Sequence, residues 1–149
     1  MSRANGHEQL ALSVWVRLLK AHALLLREVR RRVPETLTLP QFDVLAQLHR
    51  RPDGRTPREL TRELLVTAGN LTGVIARLCG LGLVRREPVP GDRRAVRLHL
   101  TPRGRRVMQR AIPRHRRDVR RLLAHVSPDR LLRLRGLLGD VSRGLEPRA

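Results

Sequence analysis

Aromatic residues are almost missing: Trp15 and Phe42 stand alone, with no tyrosine, among 149 residues. A core must then be aliphatic, and any pocket has few rings to line it. Cysteine occurs once, at Cys79, which excludes an internal disulfide and a multi-cysteine zinc site and permits a reducing interior. Four residues after Ile75, on the helix face expected to pack inward, Cys79 reads as a buried, inert thiol. No apolar run follows the basic residue near the N-terminus, and no stretch approaches the roughly 20 apolar residues that span a bilayer. The chain therefore reads as cytoplasmic, with no membrane partner. Also missing are a glycine-rich phosphate loop, a GxSxG elbow, an HExxH pair and a carboxylate pair with a supporting base, so no catalytic residue, enzyme class or cofactor is assigned. The histidines at 7, 22, 49, 99, 115 and 125 show no close metal-ligand spacing. Only a spatial pair of His22 and His49 invites a metal, and no metal site is assigned.

Acid is scarce as well. Thirteen Asp and Glu face 32 Lys and Arg, giving +19 and a pI near 12.0. The natural partner is a polyanion, nucleic acid first and an anionic membrane surface second. Lys20 is the only lysine, and arginine's planar fork grips phosphates and guanine edges bidentately. Mutational bias in a GC-rich genome would produce the same ratio, but the charge is informative either way. What is plentiful is aliphatic: 40% hydrophobic residues suffice for one compact domain, or two small units sharing a core.

Periodicity divides the chain. From Asn5, with Glu8 as a capping-box partner, Leu10, Val14, Leu18, Ala21, Leu25 and Val29 recur at helical spacing up to Pro34. Thr38 with Gln41, and Thr56 with Glu59, open two shorter helices carrying Phe42, Leu45 and Leu48, then Leu60, Leu64 and Leu65, with the turn signal Pro52-Asp53-Gly54 between them. A fourth helix follows at once in TAGNLTGVIARL, anchored by Val74, Ile75 and Leu78 and stopped near Gly82. The period then shortens. Residues 83–86 and 95–100 alternate as strands, joined through Pro88, Pro90, Gly91 and Asp92, with Arg93 and Arg94 at the tip. Thr101-Pro102 starts a fifth helix lined by Val107, Ala111, His115, Val119, Leu122 and Val126, and Ser127-Pro128 a sixth lined by Leu131, Leu134, Leu138, Val141 and Leu145.

This order predicts a mainly α fold with a small β-hairpin wing (α+β). A winged helix-turn-helix over residues 36–101, with its recognition helix at about 67–80 and wing at about 84–100, lies between helical regions at 5–34 and 102–145. One winged module cannot cover the apolar stripes of the first, fifth and sixth helices, so a two-fold dimer is the economical solution, presenting two recognition helices about 34 Å apart to an inverted repeat. Arg103, Arg106, Arg110, Arg114, Arg117 and Arg121 form a further stripe on the fifth helix, which reads first as a solvated charged face.

Three stretches resemble one family. LTLPQFDVLAQL, ELTRELLVTAGNLTGVIARLCGLGLVRR and GDRRAVRLHLTPRG are similar, in order and spacing, to the second helix, the helix-turn-helix with first wing strand, and the wing signature of MarR-family transcriptional regulators. The resemblance runs from about Leu10 to the C-terminus. It implies that Thr67, Ala68, Asn70, Thr72 and Gly73 face DNA, with Arg77 one turn on. It also implies that Arg94 enters the minor groove while Asp92 holds its guanidinium, and that Arg93 meets phosphate. Thr67 also caps the helix, which is compatible with phosphate contact, and Asn70 can pair with an adenine edge. Ala68 and Gly73 replace the long polar residues of many relatives, leaving fewer side chains to read bases. The family resemblance further implies a homodimeric repressor, released by a small aromatic or phenolic ligand held near Trp15, His22, Phe42 and His49. The alternative is a basic architectural DNA-binding protein of low specificity.

Overall fold

The computed structural model describes residues 3–32, 37–64 and 66–145, apart from the side chains of residues 3, 4, 93 and 94. In chain order the elements are α1 (Arg3–Arg30), α2 (Leu39–Arg50), α3 (Pro57–Leu64), α4 (Ala68–Gly80), β1 (Val84–Val89), β2 (Asp92–Leu100), α5 (Pro102–Leu122) and α6 (Pro128–Leu145). The predicted succession of four helices, a hairpin and two helices is the one observed.

Most boundaries follow from local chemistry. At α2 the Thr38 side chain accepts from the Gln41 N–H while Gln41 Oε1 accepts from the Thr38 N–H at 2.9 Å, a reciprocal capping box. Thr56 and Glu59 repeat it at α3, where Glu59 Oε2 accepts from the Thr56 N–H at 2.7 Å. Thr67 caps α4 and Thr101 caps α5 through single side-chain acceptors. The end of α4 is a Schellman turn: Leu83 N–H donates to Leu78 O, Gly82 N–H donates to Cys79 O, and Gly82 holds φ +66°. The first helix departs from expectation. Arg3 and Ala4 are already helical, so Asn5 lies inside the helix rather than capping it; alanine favours helix, and no β-branched or proline residue intervenes. The helix closes at Arg30, while Pro34 falls outside the described residues.

The hairpin is longer than the apolar alternation suggested. Val84 pairs with Leu100 and Val89 with Asp92, around a turn in which Gly91 adopts φ +83°. Pro88 is accommodated because the register shifts between Pro88 and Val89, an irregularity that tolerates a missing donor. A third, one-residue strand escaped the sequence reading. Arg55 N–H donates to Leu98 O at 3.0 Å and Leu98 N–H to Arg55 O at 2.8 Å, stitching the α2–α3 turn to the wing.

The core lies wholly within the winged module and the start of α5. Leu45, Leu60, Leu78, Leu98 and Met108 are fully buried at its centre, with Val44, Leu71, Ile75, Val84 and Leu100 around them. Met108 is not on the expected stripe of α5, whose Val107 and Val119 are only half-buried. Gly104 explains the rotation. A Cβ there would fall onto the Leu83 carbonyl oxygen, so glycine lets the helix start press on the hairpin base and turns Met108 inward. Cys79 is half-buried against the core rather than buried. Leu65 lies outside the described residues.

Both terminal helices stand out from this core. No α6 residue is buried, and α1 leaves Leu10 64% and Trp15 56% exposed. One expectation needs correcting here: within α1, Asn5–Arg30 is long and apolar enough to cross a membrane by length and composition. Leucine, valine and alanine are so dense that Arg17 and Lys20 do not offset them, although they interrupt every unbroken apolar run.

Candidate nucleic-acid interface

Helix α4 divides its faces by side-chain size. Leu71, Ile75 and Leu78 are buried and Val74 half-buried, whereas Thr67, Ala68, Gly69, Asn70, Thr72, Gly73, Ala76 and Arg77 are exposed. A Cβ added at Gly69 or Gly73 would meet nothing within 4 Å. No packing contact among the described residues calls for these glycines, and they leave the outer face of α4 low. The Thr72 hydroxyl donates back to Ala68 O at 2.9 Å, leaving its oxygen lone pairs and methyl outward. Two open grooves flank this face. One, of about 250 Å³, runs between the start of α2 and α4 and is lined by Thr38, Gln41, Asn70, Gly73 and Arg77. The other, of about 470 Å³, lies between α3 and α4 and carries Arg58, Arg62, Ala68 and Thr72.

The wing is held at a defined angle to α4. Besides the Arg55–Leu98 bridge, Arg97 Nη1 donates to Gly54 O at 3.3 Å, and Thr101 Oγ1 donates to Gly82 O at 2.7 Å. His99 Nε2 lies 2.9 Å from Glu87 Oε2, and Glu87 also pairs with Arg85. Gly54, at φ +76°, is the counterpart of His99: a Cβ there would strike the imidazole and the Leu98 carbonyl. Sequence reasoning marked Gly54 as a turn and His99 as a strand residue. Neither signal shows that the two meet, because that contact depends on the wing folding back from residue 99 onto residue 54.

Of the residues singled out from sequence, the structure gathers Thr67, Ala68, Asn70, Thr72, Gly73 and Arg77 on one exposed face. Asp92 is exposed at the hairpin turn, opposite Val89. The side chains of Arg93 and Arg94 fall outside the described residues, though both belong to β2.

The four pocket candidates separate. Phe42 and His49 line a cleft of about 250 Å³ between α2 and α5, together with Asp43, Arg50, His115 and Arg116. Phe42 packs against His115 in a tilted pair, with ring centroids 4.8 Å and planes 48° apart. Burial pushes the Asp43 carboxyl up from its ordinary value, with the nearby His115 pulling the other way. Trp15 and His22 lie exposed on α1 and do not line this cleft. No group of three or more metal-ligating side chains, with or without His22 and His49, occurs among the described residues.

Comparisons with known proteins agree with this geometry. The MarR family model matches residues 35–95, from before α2 to within β2. The transcriptional regulator PecS of Dickeya dadantii is 35% identical over 111 residues, covering 73% of this chain and 67% of PecS. The multiple antibiotic resistance protein MarR of Salmonella typhimurium is 34% identical over 109 residues, covering 72% of this chain and 75% of that protein. Among solved structures, the chain superposes on Sco3205 of Streptomyces coelicolor, a MarR family transcriptional regulator in complex with DNA, with TM-score 0.83 and 27% identity over 99% of this chain and 94% of that one. PcaV of the same organism, in complex with its natural ligand, gives TM-score 0.72 and 30% identity over 89% and 92% of the two chains.

Proposed function

From the premise that this chain belongs to the MarR family, as a DNA-binding transcriptional regulator, we propose that it is a homodimeric cytoplasmic repressor that occupies an inverted repeat in a promoter. One observation carries the reading: the outward face of α4 is exposed, low and polar, and is flanked by a hairpin whose angle is fixed by contacts to the α2–α3 turn. In this reading α4 enters the major groove through Thr67, Ala68, Asn70, Thr72 and Gly73, with Arg77 on a phosphate. The wing lays Arg94 into the minor groove with Asp92 steadying its guanidinium, and Arg93 meets the backbone.

Dimerisation is supported by what the chain leaves uncovered. Leu10, Leu12, Val14 and Val16 on α1, and Leu132, Leu137, Val141 and Leu145 on α6, are each more than half exposed, which is unstable for isolated helices in water. A second copy presenting the same stripes covers them and sets two α4 helices about one DNA turn, roughly 34 Å, apart. The apolar length of α1 fits a dimer in which it is covered on more than one side, since Leu12 and Val16 lie across the helix from Leu10 and Val14.

Release is proposed to come from a small aromatic or phenolic ligand. Phe42 supplies a ring, while His49, Arg50, His115 and Arg116 supply donors for a phenolate or carboxylate in the α2–α5 cleft. Trp15 and His22 join such a site only through the dimer. Binding at that junction would shift the spacing of the two reading heads away from the half-sites.

The experiment is a footprint on the DNA upstream of the protein's own gene, with excess unrelated duplex as competitor. A regulator keeps two discrete protected half-sites. Loss of all protection under competitor would replace this reading with low-specificity architectural binding, which +19 and the small Ala68 and Gly73 favour.

A further inference from the structure

Helix α5 carries nine arginines and one acid, Asp118, between Pro102 and Leu122. Six of the arginines, Arg103, Arg106, Arg110, Arg114, Arg117 and Arg121, share a face. At about 100° per residue they fall within an arc of roughly 80°, turned well away from the buried Gly104, Met108 and Ala111. All six are exposed, and none makes an ion pair among the described residues. Like charges three and four positions apart repel, so the row is a standing cost to the helix that Asp118, the one acid of α5, offsets little and no ion pair among the described residues relieves.

Neither role already given to the chain absorbs this row. The core takes the opposite side of α5, and the apolar stripes left for a second copy lie on α1 and α6; no large hydrophobic residue of α5 is exposed. The DNA-reading elements are α4 and the hairpin, which α5 meets only at its own start, where Gly104 touches Leu83 and Arg105 Nη1 donates to Leu100 O at 2.8 Å. From Arg103 to Arg121 the row rises about 27 Å, the length of about eight base pairs.

The geometry points to a second polyanion surface: the arginine row of α5 takes the phosphate backbone of duplex DNA lying outside the segment read by α4 and the wing. Guanidinium forks spaced about 5 to 6 Å apart match a ladder of phosphates, while the absence of exposed apolar or acidic groups on that arc leaves nothing to read sequence. The duplex is the flank of the DNA already held by α4 and the wing, bent against the protein, because the row begins where α5 meets the hairpin base. This makes binding longer in reach and steeper in salt than two reading heads alone would give.

Random-sequence duplexes of about 20 and about 60 base pairs separate this surface from operator recognition, because no inverted repeat is needed. For the wild-type protein the expected result is a steeper fall of affinity with salt on the long duplex. Replacing Arg106, Arg110, Arg114 and Arg117 by glutamine should remove that difference and flatten the salt slope by about 0.9 for each phosphate released. The corresponding four lysine replacements should retain it. Circular dichroism and thermal melting confirm that the variants fold, and the wild-type arms alone decide the matter should the glutamine variant not fold.

Wild-type protein showing no length dependence overturns the proposal, and capture of a labelled free duplex by the preformed protein–DNA complex without length dependence replaces the flank by a second segment. So does a glutamine variant that weakens short and long duplexes equally, since the row would then belong to the primary footprint. Loss of binding to anionic phospholipid vesicles with DNA binding intact overturns it in favour of a membrane surface. Arg94→Ala, measured in parallel, tests the proposed reading elements independently.

Discussion

The winged module and the helical arms are built from the same aliphatic residues and treat them oppositely. In the module, Leu45, Leu60, Leu78, Leu98 and Met108 are sealed from solvent, and α2, α3, α4 and α5 each begin on a threonine whose side chain takes a backbone N–H. In the arms, Leu132, Leu137 and Leu145 are 59%, 64% and 79% exposed and no residue of α6 is buried. The module closes its own core within one chain; the arms leave their aliphatic residues uncovered, which is the basis of the proposed dimer. In the proposed dimer, stability of the first is a property of the fold, and stability of the second a property of concentration.

The largest expected effect breaks that contrast at its core. Leu45→Ala should cost about 2 to 5 kcal/mol in denaturant unfolding, because a fully buried leucine leaves a cavity. The same change at Leu137 should leave unfolding of a dilute monomer within about 0.5 kcal/mol while weakening self-association, read by sedimentation. A large stability loss at Leu137 in the monomer would mean that the arms pack intramolecularly.

Next in size are the reading elements. Arg94→Ala should weaken specific DNA binding by about ten-fold or more without changing the melting temperature, and Asn70→Ala should relax preference at one position per half-site by about 1 to 3 kcal/mol. Because α4 offers short side chains, the Arg94 effect should exceed that of Asn70. The reverse order would assign the specificity to α4 rather than to the wing.

Two titrations give the smallest effects. The Thr56 backbone N–H holds the Glu59 carboxyl below its ordinary range. A carboxyl lowered in the folded state stabilises the fold above its unfolded pKa, and that contribution fades as pH falls through the folded value; Glu59→Gln should flatten this part of the acid limb. Asp43 runs the other way. Burial raises its pKa, so the folded state binds the proton more readily, and stability declines as pH rises from the unfolded value through the raised one. Asp43→Asn should therefore raise the melting temperature slightly at neutral pH and remove that slope.

Much of this was legible in the residues. Thr38 with Gln41, Thr56 with Glu59, and Gly82 announce helix ends through short-range chemistry, and the structure forms each of those contacts. Asn5 with Glu8 has the same local signature and fails, since the helix already includes Arg3 and Ala4. Met108, Gly104 and the pairing of His99 with Glu87 were not legible. Each depends on how far α5 and the hairpin approach one another, a tertiary distance that no sequence period encodes. Of the four expected pocket residues, Phe42 and His49 meet in the α2–α5 cleft because they share a face of α2. Trp15 and His22 sit exposed on α1, away from that cleft.

Sedimentation equilibrium of the full chain at micromolar concentration tests the division between complete module and incomplete arms most directly. The expected mass is twice 17.1 kDa, falling toward 17.1 kDa when Leu137 is replaced by arginine, with the module still folded. A wild-type protein that remains at 17.1 kDa, with α1 and α6 protected from hydrogen exchange, would contradict it.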